Sequence, residues 1–222
     1  MAPTFSPRPP NGKIICVGRN FGAHAIELGN PIPEWPVIFL KPESAVIGPG
    51  EPIVLPEQSN EVHHEGEMAL VVGEPLSHAT PEEALQAIAG WTLLNDVTAR
   101  DLQRADKGRF TRAKGFDTFC PISDTLVSGL DWSACEVSCA VNGQVRQRGT
   151  LDDLMFPPGE ALAFISAIMR LSPGDIVSLG TPEGVGPLLD GDEVSVRLRE
   201  RVEGAWMERL ELTNPVRARN QA

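Results

Sequence analysis

No stretch of this 222-residue chain approaches the roughly 20 consecutive apolar residues that a helix needs to cross a bilayer, so no membrane partner is expected. Cysteine is sparse: four residues, at positions 16, 120, 135 and 139, with no CxxC spacing among them. No apolar leader opens the chain either, because residues 1 to 12 are proline-rich and polar. These absences lead to the expectation of a cytoplasmic protein with reduced thiols. Cys135 and Cys139 could share a strand face, but no two further ligands stand nearby, so they read as packing residues. Positive charge is also in deficit, with 19 Lys and Arg against 30 Asp and Glu and a net charge of −11. A field of that sign repels phosphate backbones, which argues against nucleic acid as a partner. One short stretch departs from it: Arg100, Arg104, Lys107, Arg109, Arg112 and Lys114. That stretch suits a small anionic substrate, or is simply a solvated helix and loop.

Glycine and proline are plentiful, at 21 and 20 residues, and spread along the chain. Many tight turns between short strands follow, and hence a β-rich α+β fold with a few flanking helices. The expected organisation is an N-terminal arm over 1–12 and one domain over 13–222. Apolar runs predict strands at Lys13 to Val17, Val37 to Leu40, Glu65 to Val72 and Trp91 to Asp96, with further short strands after Ile176. Asn142-Gly143 between two strand-like runs is a two-residue hairpin signal. Thr80-Pro81-Glu82-Glu83 is a capped helix start, with the helix running to about Ile88. Further helices are expected over Ala23 to Leu28, ended by Gly29-Asn30, over Ala99 to Asp106, and over Pro158 to Leu171.

The chemistry centres on acidic residues. Glu65 and Glu67 stand two apart on a strand, so both carboxylates project to one face. Burying them without compensation would cost several kcal/mol or force a proton on. An exposed strand face resolves the conflict, and so does a divalent cation. Oxygen-only ligands favour Mg2+, Mn2+ or Ca2+ over Zn2+. Asp96, at the end of the next apolar run, is the third carboxylate that a cation site needs, although Asp in that place also caps helices. His24 and Glu27, three apart, fall on one helix face as either a surface contact or a functional pair. His63 and His64 flank the acidic strand and are left out of the ligand set. His78 reads as surface, and nothing near Cys120 marks it as a nucleophile.

Six segments taken together resemble the fumarylacetoacetate hydrolase superfamily, in the family's order and across roughly residues 13 to 212. They are Val17-Gly18-Arg19-Asn20-Phe21 with His24 and Glu27, Phe39-Leu40-Lys41-Pro42-Glu43-Ser44, His64-Glu65-Gly66-Glu67-Met68-Ala69, Asn95-Asp96-Val97-Thr98-Ala99-Arg100-Asp101-Leu102-Gln103, Ala113-Lys114-Gly115-Phe116-Asp117, and Gly180-Thr181-Pro182-Glu183-Gly184-Val185-Gly186. The resemblance is to the short, single-domain branch. It implies a mixed β-sandwich or roll, like the family's C-terminal domain.

That resemblance gives the residues roles. Glu65, Glu67 and Asp96 are the expected ligands of one Mg2+ or Mn2+, which polarises a 2-oxo acid and steadies its enolate. His24 with Glu27 is the expected water-activating pair, on a segment that Gly22 and Gly29 would let close as a lid. Lys114 is the active-site lysine. Arg100 and Gln103 line the pocket, although Arg100 could equally pair with Asp101 or Asp106. Thr181 is expected to hold the substrate carboxylate, in a loop whose glycines permit close approach.

The implied activity is hydrolysis of a C–C bond in acylpyruvate-type 1,3-diketo acids, such as fumarylpyruvate or acetylpyruvate. Alternatives sharing the same site are an oxaloacetate decarboxylase or tautomerase, and a 2-hydroxymuconate-type isomerase or decarboxylase of aromatic catabolism. A more distant one is a non-catalytic, cation-stabilised interaction module. The family also implies a homodimer. Sequence does not separate these 2-oxo acids, nor Mg2+ from Mn2+.

Overall fold

A computed structural model describes residues 12–27, 29 and 33–219. The expected arm over 1–12 therefore lies outside the described residues but for Gly12, as do Leu28 and Asn30 of the proposed first helix and its stop. In the first half of the chain the strands are β1 (Ile14–Gly18), β2 (Val37–Lys41), β3 (Val46–Ile47), β4 (Ile53–Leu55), β5 (Val62–His64), β6 (Gly66–Val72), β7 (Ile88–Asn95) and β8 (Thr98–Ala99). In the second half they are β9 (Cys120–Pro121), β10 (Cys135–Val141), β11 (Gln144–Thr150), β12 (Ile176–Ser178), β13 (Gly186–Pro187), β14 (Glu193–Val202) and β15 (Ala205–Ala218). The helices are α1 (Gly22–Glu27), α2 (Pro81–Gln86), α3 (Arg100–Ala105), α4 (Thr111–Lys114) and α5 (Pro158–Ile168). Strands dominate, as expected of a β-rich α+β fold. No helix among the described residues is long and apolar enough to cross a membrane.

Two five-stranded sheets form the body, in the orders β2-β1-β12-β6-β7 and β11-β10-β14-β15-β4. Strand β6 is buried along its whole length, which is why Ala69-Leu70-Val71-Val72 can be continuously apolar instead of alternating. Leu70, Leu93, Val137, Val196 and Leu198 share one core cluster drawn from both sheets. Fully burying each such side chain contributes about 1.5–3 kcal/mol. The sheets approach closely at Gly66, where an added Cβ would lie 2.8 Å from Cys139 Cβ and 3.2 Å from Val196. Only glycine permits that contact. A smaller sheet, β13-β5-β8, lies beside the N-terminal end of β6.

Local sequence signals account for several boundaries. Asn142 and Gly143 both take positive φ (52° and 74°), giving the hairpin between β10 and β11. Thr80 caps α2 in a complete capping box with Glu83. Thr80→Ala should therefore lower stability by about 1 kcal/mol. Urea unfolding checks this, and an unchanged midpoint would show the cap to be idle. Two helices are shorter than their patterns. Helix α2 stops at Gln86 because the Ala87 carbonyl accepts from Gly73 (2.7 Å) and β7 begins at Ile88. Helix α5 stops at Ile168 because Leu171 exchanges both backbone hydrogen bonds with Leu76 (3.0 and 2.9 Å). Tertiary pairing overrides helix periodicity at both ends.

Candidate active site

Strand register assembles the acidic cluster. Strands β6 and β7 pair antiparallel with Gly66 opposite Asn95, so Glu65 and Asp96, the residues just beyond that pair, come side by side. Asp96 N donates to Glu65 O (2.8 Å), and Glu65 N donates to the Asn95 side-chain oxygen (2.9 Å). Glu67 sits within β6. Its Oε2 accepts from the Ser178 hydroxyl of neighbouring β12 and from Gly180 N (3.0 Å). One oxygen from each of Glu65, Glu67 and Asp96 lies within 4.8 Å of the others, and all three residues are buried.

Three cationic side chains, also buried, surround this triad. Lys114, at the end of α4, donates to Glu65 Oε2 (2.7 Å) and to Asp96 Oδ2. Its ammonium lies 4.9 Å from the centre of the Phe39 ring. Lys41, which ends β2, donates to Asp96 Oδ1 (2.5 Å). Arg100, opening α3, donates to Glu65 Oε1 and, at 2.6 Å, to Gln103. It pairs with neither Asp101 nor Asp106: Asp101 accepts from Ser59 and Asn60, and Asp106 holds Arg112.

These charges act unequally. Burial raises the Glu65 carboxyl, but Lys114 and Arg100 outweigh it and hold the group well below the usual range. Among the described residues Glu67 forms no ion pair. Burial, then repulsion from Asp96 and Glu65, pushes it up to about 8. Lys114 is held above the usual lysine range: Asp96 and Glu65 outweigh burial, which would lower it.

The donor set fits a hard divalent cation. Three carboxylate oxygens converge, and one of the carboxylates is short of positive charge. Glu65, Glu67 and Asp96 would hold the ion.

The triad forms part of the wall of a cleft of about 390 Å³ whose other walls include Arg19, His24, Phe39, His63, Gln103, Phe110 and Thr181. His24, on α1, is buried and donates from Nδ1 to Glu27 Oε2 (3.0 Å). The other Glu27 oxygen accepts from Gly184 N (3.0 Å), which ties α1 to the loop after β12. The Thr181 hydroxyl, as placed, donates to Gly66 O (2.9 Å) and accepts from Gln147 Nε2 (2.7 Å). Every residue given a site role from sequence except Glu27 thus lines one cleft, and Glu27 reaches it through His24.

Other residues carry weight that sequence reasoning did not assign. Lys41 stands inside a segment quoted for the resemblance but received no role. Its signal was a lysine closing an apolar strand. His63 is on the cleft wall, where burial and then the Arg100 charge lower its pKa. His64 faces away and is held at Nδ1 by Gln147 (2.9 Å). Cys120 is buried, which lifts its thiol to about 12, so it is no nucleophile. Cys135 and Cys139 pack in the core.

A model of the fumarylacetoacetate (FAA) hydrolase C-terminal family matches residues 13–217, and the chain belongs to that family. A mitochondrial oxaloacetate tautomerase of Arabidopsis thaliana is 43% identical over 188 residues, covering 82% of this chain and 84% of that protein. A solved 5-carboxymethyl-2-hydroxymuconate delta-isomerase from Mycobacterium smegmatis is 47% identical with a TM-score of 0.83, covering 99% of this chain and 82% of that one. Fumarylpyruvate hydrolase from Pseudomonas aeruginosa, solved with Mn2+ and pyruvate, is 30% identical with a TM-score of 0.82, covering 93% and 89%.

Proposed function

We propose that this chain is a divalent-metal enzyme that moves a proton on a small 2-oxo acid, with keto–enol tautomerisation of an oxaloacetate-like diacid as its reaction. The observation that carries this is the buried triad, with three buried cations around it, on the wall of a cleft that His24, held by Glu27, also lines. With all six side chains ionised the cluster is neutral, so a bound divalent ion leaves two positive charges to be met by an anionic ligand. The cation on Glu65, Glu67 and Asp96 would supply a Lewis acid for the oxygens of the 2-oxo acid.

The chain's own residues do the rest. An ionised Glu27 can only accept, so it fixes the His24 proton on Nδ1 and leaves the Nε2 lone pair for the reaction. His24 Nε2 takes the proton from the carbon beside the ketone, and the proton returns at the ketone oxygen. Arg100 orients the anion: it lines the cleft, and Gln103 and Glu65 fix its guanidinium in place, so its charge stands at a set position. Lys41 and Lys114 hold both Asp96 oxygens in place. The name of the Arabidopsis relative supports the substrate.

A second reading, hydrolysis of an acylpyruvate, is favoured by the same pair. With its proton on Nδ1, His24 can take a proton from water as readily as from carbon, and the Pseudomonas relative is named for that reaction. Steady-state assays on oxaloacetate, acetylpyruvate and fumarylpyruvate, with Mg2+, with Mn2+ and with chelator, separate the two. The expected result is metal-dependent tautomerisation of oxaloacetate with the highest kcat/KM of the three. A higher value for either acylpyruvate would move the assignment to the hydrolase, and full activity after chelation would sink the metal mechanism.

A further inference from the structure

Gln147 is the one buried residue of β11, a sheet-edge strand of sequence Gln-Val-Arg-Gln-Arg-Gly-Thr that otherwise reads as solvated. A break in register explains its placement. Cys139 pairs with Gln147 but the next residue, Ala140, pairs with Val145, so Arg146 is the extra residue of a bulge. Bulges re-aim side chains, and this one turns Gln147 inward.

There its hydrogen-bonding capacity is filled. Oε1 accepts from Gly66 N (3.0 Å) and His64 Nδ1 (2.9 Å), while Nε2 donates to Thr181 Oγ1 (2.7 Å) and Pro182 O (2.7 Å). Gly66 N can only donate and Pro182 O can only accept, so the amide has only this orientation, and His64 and Thr181 adapt to it. The backbone around it is equally constrained. A Cβ on Gly184 would lie 2.0 Å from Arg146 O, and one on Gly149 would lie 2.7 Å from Pro182. The loop of residues 180–184 is therefore pressed against β11 on both sides of Gln147.

What the four partners belong to gives the residue its meaning. Gly66 is the link between the carboxylates Glu65 and Glu67. His64 precedes Glu65. Thr181 lines the cleft, and the loop that begins with it also supplies Gly184 N to the Glu27 carboxylate that orients His24. We propose that Gln147 is a positioning residue that fixes the spacing between the acidic triad and the loop orienting the His24–Glu27 pair. It touches neither substrate nor ion, and acts through Gly66 and Thr181. This rests on the reading of the triad as a cation site.

The test uses Gln147→Glu, which keeps the shape but cannot donate to Thr181 and Pro182, and Gln147→Met, which removes all four bonds. Mn2+ affinity is read by calorimetry without substrate, kcat and KM by steady-state assay, and stability by urea unfolding. Partners beyond the ligands commonly change metal affinity or activity by about 10–100-fold. The expected result is a loss of that size in Mn2+ affinity and in kcat for both variants in their folded form. A purely structural residue would lower the urea midpoint and leave both values within about twofold of wild type, and that outcome overturns the proposal. Thr181→Val cuts the same connection from its other end with little change of volume. It serves as the deciding variant should the Gln147 substitutions fail to fold, judged on Mn2+ affinity alone because Thr181 itself lines the cleft: a loss of about 10–100-fold supports the proposal, and a value within about twofold of wild type overturns it. Wild-type protein that binds Mn2+ yet turns over no 2-oxo acid overturns the proposed activity alone, and the affinity comparison still judges Gln147. Wild-type protein that binds no Mn2+ overturns both.

Discussion

Asp96→Asn is expected to destabilise the metal-free protein by on the order of 3–5 kcal/mol, the usual cost of breaking a buried ion pair by removing one partner. Each Asp96 oxygen has its own ammonium: Lys41 on Oδ1 and Lys114 on Oδ2. Whichever way the new amide turns, its NH2 group faces one of them. Lys114 keeps Glu65, but Lys41 has a fully buried side chain and, among the described residues, only the distant Val97 carbonyl (3.5 Å) besides. The ammonium of Lys41 is therefore left without a counter-charge. Urea unfolding in chelator measures the loss. Adding Lys41→Met to Asp96→Asn removes the orphaned charge and should recover part of the stability while activity stays lost. No recovery would show that the lysine is not what makes the aspartate indispensable to folding.

His24→Gln should divide the properties the other way. A positioned general base contributes typically about 100- to 10,000-fold in rate, so kcat should fall by an amount in that range. Folding and Mn2+ affinity should hardly change, because the hydrogen bond that His24 makes is to Glu27 and not to a triad oxygen. Steady-state kinetics alongside Mn2+ calorimetry tests the separation. A large drop in Mn2+ affinity would place His24 among the ligands and remove it from proton transfer. Turnover within a few-fold of wild type would remove it from the mechanism.

Much of this could be read in the sequence, and the parts that could not share a cause. Strands with apolar runs of four or more residues were legible, as were the Asn142-Gly143 hairpin and the Thr80 cap, because each signal is local. Strands β3, β8, β9 and β13 have two residues each and β5 three, too few for alternation to show. Those short pieces matter, since β5 ends next to Glu65, β8 ends next to Arg100, and the two strands pair through Val62 and Ala99. Spacing alone left Glu65 and Glu67 as possible surface residues. Their burial depends on what packs against Gly66, and Cys139 and Val196, which do so, come some 70 and 130 residues later in the chain. Only the ordered set of six motifs pointed past that ambiguity. Lys41 and Gln147 escaped for the same reason. A lysine at a strand end and a glutamine in a polar strand are ordinary surface choices until the tertiary structure closes over them.

The seam at Gly66 has one more implication. Two of the three carboxylates flank Gly66, where the facing sheet leaves no room for a Cβ. Ordinary repacking of Cys139 or Val196, far from any substrate, would be felt as a change in the bite of the chelate. At this point of the fold, stability and chemistry are one variable, and neither can drift under selection without carrying the other along.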